Sequence, residues 1–153
     1  MDKFDVFAKN SLLFAPMEGI TDEPYRIAML KAFPEWDQFF TDFLRVPTVG
    51  KINEKMIIDH YGPRIHANPS WRKKNSFQIL TYPRAQTIAV VEILESRKMH
   101  HLDLNLGCPS KKVNSHLGGA YLLSDPKALQ SVLKTIRSNF TGCFTVKMRI
   151  GYR

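Results

Sequence analysis

Cysteine is scarce: Cys108 and Cys143 are the only two in 153 residues and stand far apart. With no signal-peptide pattern at the start, that usage sets the expectation of a reducing compartment, the cytoplasm. No apolar run approaches the roughly 20 residues a membrane-spanning helix needs, so no membrane partner is expected. Low-complexity tracts and repeats are missing. The five histidines show no metal-ligand spacing, and adjacent His100 and His101 fall on opposite faces of a strand, so no metal is expected. There is neither a P-loop nor a Gly-x-Gly-x-x-Gly segment, which excludes a Rossmann-type nucleotide site.

What is present is a globular composition, 44% apolar and 24% charged, in a length that suits one domain with a real core. Lysine and arginine exceed aspartate and glutamate by 22 − 14 = +8. Such an excess suits a polyanionic partner such as nucleic acid, through steering and counterion release.

The periodicity predicts alternating strands and helices. Residues 11–15 read as a short buried strand stopped by Pro16, and residues 16–21 as a loop. A helix follows, capped by Thr21 or Asp22, with Pro24 in its first turn and Pro34 at its end. Residues 37–43 read as a second strand. The long connection after it holds one helix, residues 53–60, and a polar, loop-like tail, residues 68–75. A third strand at 76–80 leads to a helix at 83–98, apolar at Ala85, Ile88, Ala89, Val91 and Leu94. A fourth strand covers 102–106. Asp125-Pro126 starts a helix whose face is Leu129, Val132, Leu133, Ile136 and Phe140. Residues 143–150 form a fifth strand. This order is a parallel α/β pattern. An end three residues after a strand leaves one of its faces uncovered, so the chain reads as an incomplete unit.

The chain is organised around Leu102-Asp-Leu-Asn-Leu-Gly-Cys-Pro-Ser110. Its first half alternates leucine with polar residues, as a strand does. Gly107 and Pro109 then end the ladder and place the Cys108 thiol on a turn just past the strand. In parallel α/β sheets the C-terminal strand ends are where ligands sit, so Cys108 is a candidate for chemistry. The competing reading is an inert buried thiol. Cys143 opens a strand with no comparable setting and reads as structural.

Five segments in order resemble the tRNA-dihydrouridine synthases. They are Ala15-Pro-Met-Glu-Gly19, Thr41-Asp-Phe-Leu-Arg-Val46, Phe77-Gln-Ile-Leu80, Asp103-Leu-Asn-Leu-Gly-Cys-Pro-Ser110 and Val146-Lys-Met-Arg-Ile-Gly151. Gly118-Gly-Ala-Tyr-Leu-Leu123 resembles that family's glycine-rich loop. Glu18 and the Phe-Leu-Arg-Val segment look most like the bacterial subgroup acting on a D-loop uridine. The resemblance implies a TIM (β/α)8 barrel, of which residues 1–153 supply about the first five strands. The later barrel strands and the helical tRNA-binding domain have no counterpart. Two departures, Thr81-Tyr82 in place of the usual glycine and His116-Leu117 in place of small residues, sit near the flavin site the family would have.

The implied reaction is reduction of a uridine C5=C6 bond in tRNA, with FMN as the cofactor and NADPH as its reductant. Hydride goes to C6, and Cys108 gives the proton to C5. A thiol of ordinary pKa near 8.5 is mostly protonated at neutral pH and suits that task. Asn105 can both donate to and accept from a uracil edge, or tie down the turn through Asx hydrogen bonds. Lys147 and Arg149 share one face of the last strand. The resemblance brings Lys147 to the flavin N1/O2 edge and Arg149 to flavin or RNA; the alternative is a solvated outer face. Gln78 would hold the flavin pyrimidine ring, and Pro16 and Met17 would floor the isoalloxazine. Lys111 and Lys112, after the cysteine loop, and the Trp71-Arg-Lys-Lys74 run are basic spots suited to phosphate contact. Two other readings stand beside this one. A flavin barrel for free pyrimidines also carries an Asn-x-x-Cys-Pro segment, but lacks the Pro-Met-Glu-Gly start and the excess of positive charge. An inactive truncated chain would bind RNA by charge alone.

Overall fold

The computed structural model describes residues 6–110 and 117–152. The sheet runs in the order β1 (Leu13–Phe14), β2 (Gln38–Phe40), β4 (Asn75–Leu80), β5 (His101–Leu106), β6 (Cys143–Met148), with β3 (Leu44–Arg45) on β4. Every pairing is parallel. Strands β2 and β3 follow one another along the same edge of β4: Phe39 and Phe40 pair with Asn75 and Ser76, then Leu44 and Arg45 with Ile79 and Leu80. Between them the backbone leaves the ladder, and the buried Thr41 Oγ1 accepts from Gln78 N–H at 2.9 Å. The expected second strand at 37–43 therefore stops at Phe40, a separate short strand follows at Leu44–Arg45, and the five strand positions are those of an incomplete parallel barrel.

Helices α1 (Glu23–Ala32), α2 (Glu54–Tyr61), α3 (Pro63–Ala67), α4 (Pro69–Lys73), α5 (Thr87–Ser96) and α6 (Pro126–Asn139) complete the described elements, with a 3₁₀ segment at Gly119–Ser124. Their starts are chemically marked. Asp22 accepts from Tyr25 N–H, Asn53 from Met56 N–H and Asp125 from Ala128 N–H, each satisfying a donor that the first turn leaves free. Asp22, not Thr21, caps α1; the Thr21 hydroxyl instead bonds the backbone of Met17.

The loop-like reading of residues 68–75 is overturned. Asn68 Oδ1 accepts from Ser70 and Trp71 N–H, and Pro69 opens the first turn of α4, a start signal masked by the polar, basic composition. Lys74 is committed to the Pro34 and Trp36 carbonyls, and Trp71 packs on the core. That basic run is thus partly a structural tie.

One face of the sheet makes the core. Phe77 and Ile79 of β4 and Leu102, Leu104 and Leu106 of β5 pack against Ile57 and Tyr61 of α2, Val91 and Leu94 of α5 and Ile136 of α6. Each such side chain contributes about 1.5–3 kcal/mol by leaving water. The opposite, concave face carries the alternate residues Gln38, Ser76, Gln78, His101, Asp103, Asn105, Thr145 and Lys147. On β6 the apolar Val146 and Met148 are exposed.

Candidate active site

Because all strands are parallel, their C-terminal ends collect on one rim. Pro16 follows β1, Gly107-Cys108 follows β5, and Lys147 stands near the end of β6. Asn105 builds the β5 rim: its Oδ1 accepts from Gly107 N–H at 3.0 Å and from Cys108 N–H at 2.9 Å. The side chain of the strand's penultimate residue thus closes the turn that presents the half-buried Cys108. A Cβ at Gly107 would lie 3.7 Å from Lys147 Nζ, so the ammonium sits directly beside that turn. The other thiol, Cys143, is the first residue of β6, half-buried, and burial pushes its pKa up to about 11.

Behind the rim, polar side chains join across four strands. Gln78 Nε2 donates to Asp103 Oδ2 at 2.6 Å, and Asn105 Nδ2 donates to Gln78 Oε1 at 2.8 Å. Thr145 Oγ1 donates to Asp103 Oδ1 at 2.6 Å. His101 lies 2.7 Å from Thr145 Oγ1 through Nε2 and 2.6 Å from Ser76 Oγ through Nδ1, and Ser76 accepts from Gln38 Nε2 at 2.7 Å. The rings of Phe7 and Phe40 stand 5.4 and 5.7 Å from His101. Burial alone lowers the His101 pKa to about 4, so the ring is neutral. Burial raises Asp103, against the hydrogen bonds of Thr145 and Gln78 and the nearby charge of Lys147.

A cavity of about 260 Å³ opens on this face, lined by Phe7, Leu13, Ala15, Pro16, Phe40, Asp103, Thr145, Val146 and Lys147. Pro16 and Lys147, candidates from sequence, share it. Met17 is exposed on the adjoining loop. Asn105 is tied to the lining residue Asp103 through Gln78. Gln78 has no exposed surface and reaches the cavity only through its neighbours. Arg149 lies past the end of β6 and is exposed, so it does not continue the strand face of Lys147. Lys111 and Lys112 lie outside the described residues.

Five residues of this network had no role assigned from sequence: Gln38, Ser76, His101, Asp103 and Thr145. The signal was available. On β5 every second residue is polar while the intervening ones are leucine, and Thr145 pairs with Asp103 across the sheet. Arg26 was also missed. Fully buried in α1, it donates to Thr21 O at 3.0 Å, Asn75 Oδ1 at 2.6 Å and Tyr61 O at 2.5 Å.

Comparison with known proteins gives the family of the chain. The profile of the family described as Dihydrouridine synthase (Dus) matches residues 13–153. The tRNA-dihydrouridine(16) synthase of Yersinia pestis is 34% identical over 149 residues, covering 92% of this chain and 46% of that protein. Its counterpart from Neisseria meningitidis serogroup B is 30% identical, covering 94% and 44%. The tRNA-dihydrouridine synthase B of Vibrio parahaemolyticus is 28% identical, covering 94% and 42%. The chain therefore spans less than half the length of these relatives. A parallel half-barrel, an Asn-braced cysteine turn at its rim and a match across nearly all of its residues place this chain in the dihydrouridine synthase family.

Proposed function

We propose that this chain is the N-terminal part of the catalytic barrel of a cytoplasmic enzyme that reduces the C5=C6 bond of a uridine in tRNA, with FMN as cofactor and NADPH as reductant. The observation that carries the reading is the turn held by Asn105, which sets Cys108 at the strand-end rim beside Lys147. The residues fit a flavin ring: Ala15, Pro16 and Phe40 offer an apolar wall, and Lys147 brings a cation to the same cavity.

In this reading Lys147 would help hold the flavin at its N1/O2 edge, where an ammonium would stabilise the negative charge of the reduced ring. When bound, that flavin supplies the hydride to C6. Cys108 donates the proton to C5 from its Sγ, and the Asn105 bonds to its backbone fix where that Sγ stands. Asn105 acts on the uracil indirectly, through the turn that its amide holds. Pro16 and Met17 would floor the ring, and the fully buried Gln78 would act on its pyrimidine half from behind, through Asp103, which lines the cavity. Arg149, Lys111 and Lys112 meet tRNA phosphates, and the +8 net charge favours that encounter. The target base leaves its stack to enter the cavity.

The test is an FMN titration of the 153-residue chain, followed by flavin absorbance after desalting and by dihydrouridine analysis of tRNA. Retained flavin, with reduction lost in Cys108→Ala but flavin kept, supports the assignment. Flavin released on desalting, together with salt-steep RNA binding, means a chain that only binds RNA by charge.

A further inference from the structure

We propose that Asp103 is a positioning residue: it sets the donor–acceptor direction of Gln78 and Asn105 and thereby the geometry of the Cys108 turn. The inference deepens the function proposed above and rests on it for its catalytic meaning.

A side-chain amide presents nearly the same shape with its O and N exchanged, so shape alone does not orient Gln78 or Asn105. A carboxylate breaks the tie because, ionised, it only accepts. Asp103 accepts from Thr145 on Oδ1 and from Gln78 on Oδ2. Gln78 must therefore aim its NH₂ at Asp103 and its carbonyl at Asn105. Asn105 must then aim its NH₂ at Gln78, which leaves its Oδ1 for the N–H groups of Gly107 and Cys108. Every bond from Asp103 to the turn has one allowed direction.

The other branch is ordered by the same charge. Thr145 has one hydroxyl proton and gives it to Asp103, so it accepts from His101 Nε2–H. The neutral ring then accepts a hydrogen bond at Nδ1 from the Ser76 hydroxyl, whose oxygen accepts from Gln38. This branch pins the carboxylate from behind and keeps it from rotating away from Gln78. Were Gln78 reversed, Asn105 would have to reverse too, and its NH₂ would face the two N–H donors it now serves. Like-facing donors in a buried site lose both hydrogen bonds.

Exchanging the charge tests direction separately from size. Asp103→Asn keeps the size but lets position 103 present an NH₂ to Gln78, so that Gln78 and Asn105 lose their single direction. Adding Gln78→Glu restores the order, because the amide then at position 103 donates to the carboxylate at position 78, which in turn accepts from Asn105. The readout is amide hydrogen exchange at Gly107 and Cys108, followed by NMR and referred to amides of α5 as a measure of global stability. Neither FMN nor tRNA is involved, so failure here is distinct from failure of the functional reading. Asp103→Asn is expected to lower protection at the two turn amides about tenfold, the scale of one lost hydrogen bond, or to unfold the chain. The double variant is expected to fold and return them to within about threefold of wild type. Unchanged protection in Asp103→Asn overturns the proposal. So does a double variant that fails to fold or leaves the turn amides unprotected.

Discussion

Arg26 is the residue whose replacement should be felt most widely. Its guanidinium has no exposed surface, yet it joins four parts of the chain. It sits on α1, bonds the Thr21 carbonyl in the loop after β1, the Tyr61 carbonyl at the end of α2 and the Asn75 side chain at the start of β4. It also stacks over the Tyr61 ring at 5.8 Å. Burial lowers its pKa to about 10, still far above neutral, so it remains a cation. Arg26→Met keeps much of the stem volume and removes all three bonds. Each buried acceptor left bare costs about 1–3 kcal/mol, partly offset because no cation need be dehydrated. The net expectation is a loss of about 3–5 kcal/mol, a large part of an ordinary domain's stability. Urea unfolding followed by the fluorescence of Trp36 and Trp71 measures it. Arg26→Lys can recover only part, since an ammonium lacks the planar fork that spans three acceptors. Because Thr21 bonds Met17, the loop bearing Pro16 should loosen in the same variant, visible as faster exchange at Met17 N–H. A loss below about 1 kcal/mol in Arg26→Met would show that the three acceptors find other partners, and the account given of this residue would be wrong.

Acid should destabilise the chain through His101. Its folded pKa, about 4, lies below the ordinary 6.5, so the unfolded chain binds a proton first. Stability is therefore full above 6.5 and falls as pH drops toward 4, by on the order of 3 kcal/mol in all. Asp103, pushed up by burial, contributes the opposite slope. Comparing urea midpoints of wild type and His101→Gln from pH 7 to 4 isolates the histidine, because Asp103 is common to both; parallel curves would refute the assignment. Gly62 has a φ of +101°, and a Cβ there would stand 2.6 Å from Glu23 Cγ. Gly62→Ala should lose about 1–3 kcal/mol in the same assay and displace Glu23 from the Arg64 and Ile65 N–H groups it accepts from. Lys147→Met should weaken FMN binding roughly tenfold, one charged hydrogen bond, with unchanged circular dichroism; unaltered affinity would place the ammonium away from the ring.

Much of the architecture is local information. Alternation in Leu102–Leu106, the Asp125-Pro126 start and the apolar face of α6 depend on residues a few positions apart, so the sequence alone announces a strand and a helix there. The cysteine turn is also local, because Asn105 reaches N–H groups only two and three residues ahead. Where the sequence reading failed, distant partners or disguised caps were responsible. The strand expected at 37–43 stops at Phe40, where the Thr41 hydroxyl takes the N–H of Gln78, far along the chain. The tail at 68–75 folds as a helix because Asn68 caps it, a signal hidden among lysines. The polarity of the site belongs to tertiary structure alone. Gln38, Ser76, Gln78, His101, Asp103, Asn105 and Thr145 come from four strands, and only parallel pairing in this register brings their side chains within hydrogen-bond reach. Sequence by itself determined which residue types could do chemistry at the rim and in which order they occur. The sheet decided which way each amide faces, because a buried carboxylate orders its neighbours only after folding has set them around it.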